Sequence, residues 1–200
     1  MMYLGTDDRP ADNRTSIDHQ ALYRRLMACT TERGGNAPFF AQMLASWLSD
    51  KSALPRYMGL EEPQFREMMA VHFPGFCDIA LATRRNIEPE RASELEDVLK
   101  LLLDHRSNQG EEEVWIARIV ATGCMGSEHL WSDLGLFERR VLGQMLLHNF
   151  RPLAEQNNNN MRWKKFFYRQ LCAREGFILC RSPSCETCTE YAVCFAPQEA

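Results

Sequence analysis

The chain has 200 residues, 45% of them hydrophobic, which fits one globular domain with a full core and a small appendage. Its 23 Lys and Arg against 27 Asp and Glu leave a net charge of −4, which argues against a nucleic-acid partner; its longest uncharged stretch, Gly34 to Ser49, has 16 residues, short of the ~20 apolar residues of a membrane span. The first eleven residues (MMYLGTDDRPA) carry Asp7 and Asp8 where a secretory signal needs an apolar run, so a cytoplasmic, reducing compartment is expected, where stable disulfides are rare.

Residues 1–16 read as a flexible N-terminus. Ile17 to Thr30 places Leu22, Leu26 and Cys29 on one helical face after Ser16 as N-cap, and Gly34-Gly35 ends it. Pro38 suits a first helical turn, followed at helical spacing by Phe39, Met43, Leu44, Trp47 and Leu48; Leu54-Pro55 closes that element. Glu61 to Val71 predicts a short helix stopped by His72-Phe73-Pro74-Gly75. Pro89 starts another, with Leu95, Val98, Leu99, Leu102 and Leu103 as the clearest apolar stripe, closed by Ser107 to Gly110. Glu111, Glu112 and Glu113 favour a helix N-terminus before Val114 to Ala121.

A long helix is expected over Asp133 to Phe150, with Leu134, Phe137, Val141 and Met145 inward. Residues 156–160 (QNNNN) are poor helix formers and read as a linker between a bundle over residues 17–155 and a basic helix, Met161 to Ala173, which Gly176 ends. Trp163, Phe166 and Phe167 would dock that helix on the bundle. With no alternating strand pattern of any length, the fold class is all-α, a helical bundle carrying a C-terminal cysteine-rich segment within residues 161–200.

Five of the eight cysteines fall in the last 29 residues. Cys180, Cys185, Cys188 and Cys194 are spaced C-x4-C-x2-C-x5-C, and thiolates at such short separations converge on one small centre. Only Cys185 and Cys188 form the knuckle that structural zinc sites use in pairs, whereas C-x4-C-x2-C matches the spacing of plant-type iron-sulfur ferredoxins, with the last cysteine closer than there. The spacing therefore leaves a cluster, a structural zinc staple and a ferredoxin-like electron carrier open. From residue 161 onward the chain carries six cations and four acidic residues, a +2 end on a body of −6; cations here stabilise thiolates and attract an anion or an acidic partner surface, set against a reading as a solvated basic helix face.

Beside these cysteines, MRWKKFFYRQLC (Met161 to Cys172) and REGFILCRSPSCETCTEYAVCF (Arg174 to Phe195) resemble the NifQ family of nitrogen-fixation proteins, as do LPRYMGL (54–60), HFPGF (72–76) and CMGSEHLWSDLGL (124–136), in the same order. The resemblance covers roughly residues 40 to 196. It implies a molybdenum-iron-sulfur protein that donates molybdenum during assembly of the iron-molybdenum cofactor of nitrogenase. Its implied partners are the cofactor-assembly scaffold and the nitrogenase iron protein. The family's motif carries over onto Cys180, Cys185, Cys188 and Cys194 as cluster ligands, and a metal donor of this kind is a carrier rather than an enzyme. Cys172 and His129 are candidate auxiliary ligands, set against readings as a small buried hydrophobe and a structural loop histidine. Cys29, Cys77 and Cys124 read as packing residues, and no nucleophile stands at motif spacing from His72, His105 or His148.

Overall fold

A computed structural model describes residues 18–30, 35–77, 91–108, 110–158 and 160–175, and all regular structure among them is helical. The helices are α1 (His19–Cys29), α2 (Ala37–Leu48), α3 (Glu62–His72), α4 (Ala92–Leu103), α5 (Glu111–Cys124), α6 (Leu130–Asp133), α7 (Arg139–Asn149), α8 (Arg151–Ala154) and α9 (Trp163–Glu175).

Helix α1 is capped by Asp18, whose carboxylate accepts from the Gln20 N–H at 3.0 Å; the expected cap, Ser16, lies outside the described residues. Pro38 sits in the first turn of α2 as its fixed φ favours, and α3 opens on a capping box in which Gln64 reaches back to the Glu61 N–H at 3.2 Å. The start expected at Pro89 lies outside the described residues, and α4 is described from Ala92. Its buried stripe is Leu95, Val98, Leu101 and Leu102, while Leu99 and Leu103 are half-buried.

Helix α5 runs three residues past the expected Ala121 to Cys124, and ten of its 14 residues are buried, so it is the axis of the molecule. Helix α4 lies antiparallel to it, since Arg91 at the start of α4 donates to the Met125 carbonyl just beyond the end of α5. Helices α3 and α6 also pack on α5, and α1 packs on α2. The segment 133–150 is not one helix. Gly135 takes φ +75°, and its lack of a side chain admits Ser46: a Cβ on Gly135 would stand 2.5 Å from the Ser46 Cβ, and Ser46 Oγ donates to the Gly135 carbonyl at 2.6 Å. The chain turns at that point, and α7 restarts at Arg139 with Leu142, Met145 and Leu146 inward, while Phe137 and Val141 are half-buried.

Between α2 and α3, the LPRYMGL segment makes a left-handed turn with Tyr57, Met58 and Gly59 at φ 55°, 57° and 86°. Two consecutive non-glycine residues in this region cost about 1–2 kcal/mol each. Surrounding contacts hold them: Met58 is fully buried, Trp47 Nε1 donates to the Pro55 carbonyl (2.9 Å), Tyr57 Oη to Glu62 (2.8 Å) and Arg118 Nε to the Gly59 carbonyl (3.3 Å).

A buried polar network ties α2, α3, α5 and α7 together. Asn36 and Asn149 exchange side-chain amide hydrogen bonds at 2.8 Å in both directions, Asn36 also donates to Glu112 (2.9 Å), and Asn149 donates to the Met145 carbonyl (2.9 Å). His72 stands 3.5 Å from Glu112, packed between the rings of Phe40 and Trp115. Because every amide group here has a partner, the network specifies one arrangement of the four helices.

Candidate functional site

Helix α9 leads from the bundle into the cysteine motif, and its mode of attachment therefore determines where that segment begins. Before it, Asn157 and Met161 are tied by hydrogen bonds. Asn157 donates to the Met161 carbonyl (2.9 Å) and accepts from the Met161 N–H (2.8 Å), and Asn160 takes φ +50°, which asparagine tolerates. Trp163, Phe166 and Phe167 then pack on one another with ring centroids 5.7 to 6.0 Å apart, and Phe166, Phe167 and Tyr168 are buried in the same core as the rest of the bundle. The expected aromatics dock, Trp163 partly buried, and Tyr168, which spacing did not single out, docks with them.

The first turn of α9 is fixed by charge. Lys164 Nζ donates to Asp133 Oδ2 at 2.5 Å and to the Gly126 carbonyl at 2.8 Å. Asp133 is buried and also accepts from the Glu128 N–H, so one carboxylate both closes the 126–133 loop and receives the helix cation. Burial pushes the Asp133 carboxyl upward, against the downward pull of the Lys164 ammonium and the Glu128 N–H. Close packing leaves no room for error: a Cβ on Gly126 would stand 2.3 Å from Asp133 Cγ.

Beside this pair, Arg91 grips Glu94 through two hydrogen bonds (2.9 and 3.1 Å), and Tyr168 of α9 donates to the same Glu94 carboxylate. Arg91 and Lys164 thus bring two cations to carbonyls just past the C-terminus of α5, where the helix dipole is negative. Cys124 lies among these groups, fully buried, and desolvation pushes its thiol up to about 12, so it remains a protonated packing residue.

From there α9 runs in the same direction as α4, with Tyr168 against Glu94 and, two turns later, Arg174 against Asp104 at 3.0 Å. Arg174 also stands 3.5 Å from His105 Nδ1. The last turn of α9, with the half-buried Cys172, therefore ends at the C-terminus of α4.

These positions separate the expected site residues. Cys180, Cys185, Cys188 and Cys194 lie outside the described residues. Cys172 is at the end of α9 from which the motif departs. His129 is an exposed residue at the N-cap of α6, next to the opposite end of α9, roughly 16 Å of helix rise away from Glu175. The two auxiliary candidates are not brought together. Cys124 is buried as expected and Cys29 packs against the core, but Cys77 is exposed, its thiol 3.3 Å from the Gly75 carbonyl, which corrects its reading as a packing residue. Among the described residues, no three His, Cys, Asp or Glu side chains are grouped so as to hold a metal ion.

The cations of the C-terminal end also divide. Lys164 and Arg174 are committed to Asp133 and Asp104, so their charge is spent on docking the helix. Spacing shows neither pairing, because the partners stand 31 and 70 residues away. Asp133 and Glu94, which anchor α9, are the site residues that the sequence pattern did not single out.

The motifs in the middle of the chain meet at this anchor: Gly59 of LPRYMGL packs on Thr122 of α5, and Asp133 of CMGSEHLWSDLGL holds Lys164 of KKFFYRQLC. Comparison with known proteins gives the arrangement a family. The NifQ family model matches residues 39–196. Protein NifQ of Azotobacter vinelandii is 44% identical over 158 residues, 74% of this chain and 81% of that protein. Protein NifQ of Rhodobacter capsulatus is 46% identical over 109 residues, 54% of this chain and 61% of that protein, and Protein NifQ of Klebsiella pneumoniae is 35% identical over 158 residues, 74% of this chain and 93% of that protein. No solved structure matches. With the matched region spanning both the bundle and the cysteine motif, this chain belongs to the NifQ family, whose proteins are implicated in nitrogen fixation.

Proposed function

We propose that this protein binds a molybdenum-iron-sulfur cluster through Cys180, Cys185, Cys188 and Cys194 and donates its molybdenum during biosynthesis of the iron-molybdenum cofactor of nitrogenase. The observation that carries the reading is the C-x4-C-x2-C-x5-C run inside the matched NifQ region, directly after the docked helix α9. The donor set suits the cargo: thiolates are soft ligands that select iron-sulfur centres, and bridging sulfide supplies the remaining coordination of each metal. The cluster is cargo, so the protein acts as a carrier, with no catalytic base needed for donation.

Its partners in this reading are the cofactor-assembly scaffold and the nitrogenase iron protein, in the cytoplasm, with molybdate or a molybdenum-sulfur species as the source of metal. Among the described residues no helix is long and apolar enough to cross a membrane. Helix α9 supports delivery by fixing one end of the cysteine segment to a rigid core, so that the cargo is presented from a defined place on the surface.

The test is elemental analysis of anaerobically purified protein for molybdenum, iron, zinc and acid-labile sulfide per chain. Molybdenum with iron and sulfide is expected. Stoichiometric zinc without sulfide would overturn the reading in favour of a structural staple, and iron and sulfide that cycle between redox states without ever taking up molybdenum would make the protein an electron carrier.

A further inference from the structure

We propose that the outward face of α7 is a docking surface for an acidic helix of a partner protein, an inference that stands apart from the reading of the cysteine motif. Helix α7 turns Leu142, Met145, Leu146 and Asn149 into the core, so Arg140, Gly143, Gln144 and Leu147 share the side that faces away from it. This face departs from local preference in three ways. Gly143 sits in the middle of the helix, where glycine is the least favoured residue after proline. Neither backbone nor packing calls for it: its φ is not left-handed, and a Cβ there would meet nothing within 4 Å. Gly123 of α5 shows the contrast, since a Cβ on it would stand 2.7 Å from the Leu134 side chain. Arg139 and Arg140 occupy the first turn of α7, the positive end of the helix dipole, and no acidic residue shares that turn. Leu147 is 39% exposed, and Val71 on α3 is the other large hydrophobic exposed among the described residues. Departures of this kind that gain nothing inside the fold mark a functional surface.

Charge and shape say what fits there. Residues 138–155 carry Arg139, Arg140 and Arg151 against Glu138 and Glu155, a positive segment in a chain of net charge −4. Arg140 pairs with Glu138 at 2.5 Å and Arg151 with Glu155 at 3.3 Å, but all four side chains are more than half exposed. Such pairs are weak, so a partner's carboxylates can replace the glutamates. With no side chain at position 143, a second helix can approach the backbone of α7 to the short end of the usual range, about 8 Å between axes. Leu147, one turn beyond the crossing, offers an apolar contact, and Arg139 and Arg140, one turn before it, offer cations. The complement is a helix with small or apolar residues at the crossing and carboxylates toward the arginines.

Other occupants fit less well. A second copy of this chain would set Arg139 and Arg140 against their own copies in a parallel pairing, and toward His148 and Arg151 in an antiparallel one. Neither arrangement supplies a carboxylate from α7, which contains no acidic residue. A lipid surface needs a broad apolar face, and the broad apolar face of α7 is already buried in the core.

The experiment places the photo-cross-linker benzoylphenylalanine at Gln144 of the full-length protein in a nitrogen-fixing bacterium grown without fixed nitrogen. A control carries it at Arg66 of α3, whose side chain is 71% exposed. An adduct from position 144 and none from position 66 is expected, joined to a helical peptide of net negative charge. With the purified partner, Arg140→Glu is expected to weaken binding at least about tenfold, and exchanging the partner's facing carboxylate for lysine to restore it. Gly143→Ala separates docking from folding. Alanine favours the helix, so the thermal midpoint should hold or rise while affinity for the partner falls. No adduct at position 144 overturns the proposal, as does an adduct to a second copy of this chain or to a neutral or basic segment. Affinity indifferent to both substitutions overturns it too. Elemental analysis reads the cysteine motif and the adduct reads α7, so the two readings fail separately.

Discussion

Cys124 and Cys77 carry the same thiol into opposite surroundings, one fully buried beside Lys164, Glu94, Asp133 and Arg91, the other exposed after α3. A thiol-alkylating reagent at neutral pH is expected to modify Cys77 in the folded protein and to leave Cys124 untouched until the chain unfolds; mass spectrometry of the modified peptides checks this. The buried thiol also imposes an alkaline limit. Its folded value, about 12, exceeds its ordinary value of 9.0, so the folded state keeps a proton that the unfolded chain releases. The stability contributed is whole below pH 9 and is lost as pH rises from there toward 12, at up to about 1.4 kcal/mol per pH unit for this one group. Urea denaturation across that range should show a shallower loss in Cys124→Ala than in the native protein; equal slopes would show that the thiol ionises freely in the fold. Gly59 is the other residue whose chemistry is decided by its neighbours. It needs φ +86°, and a Cβ there would stand 2.2 Å from Thr122 Oγ1. Gly59→Ala is expected to cost at least about 2 kcal/mol, combining backbone strain with an overpacked contact, as read from a shifted denaturation midpoint.

Elements are joined here by a few polar pairs placed where apolar packing alone would leave register undetermined. Lys164 of α9 and Asp133 of α6 are the sharpest case, with the Asp133 side chain nearly inaccessible and the Lys164 side chain 16% exposed. Lys164→Met leaves the Asp133 carboxylate buried with only the Glu128 N–H to accept from, and a loss of about 3 kcal/mol is expected. In the double variant Asp133→Asn, Lys164→Met the neutral amide still accepts from that N–H, so most of the loss should be recovered. A double-mutant cycle measures the coupling, and purely additive effects would mean that the pair does not hold α9. The stripe over α4 was legible by spacing, yet Leu101 is buried where Leu99 and Leu103 are half-buried. All of these leucines satisfy a helical period; which of them faces inward depends on where α5 and α9 lie against the helix. The break in residues 133–150 was hidden for the same reason. Apolar residues recur through it at helical spacing, and only the approach of Ser46 to Gly135 shows that the chain must turn there.

At the scale of the whole molecule, the bundle and the cysteine motif are expected to behave as separable parts. Among the described residues the buried core runs from Leu22 of α1 to Tyr168 of α9 and draws on every helix between. Cys188→Ala should therefore abolish cluster binding, read as iron and molybdenum per chain, while circular dichroism and the thermal transition stay nearly unchanged; undiminished molybdenum in that variant would remove the motif from the site. The sequence by itself determined the helical class, the apolar faces of most helices, the aromatic docking of α9 and the family, because periodicity, capping and cysteine spacing are local properties of the chain. Tertiary structure alone decided which cations of the last helix are committed to carboxylates, which of Cys29, Cys77 and Cys124 are buried, and that His105 rather than His129 lies where α9 ends. Those facts depend on partners tens of residues apart, 31 for Lys164 and Asp133 and 69 for Arg174 and His105, and separations of that size leave no periodic trace in a sequence.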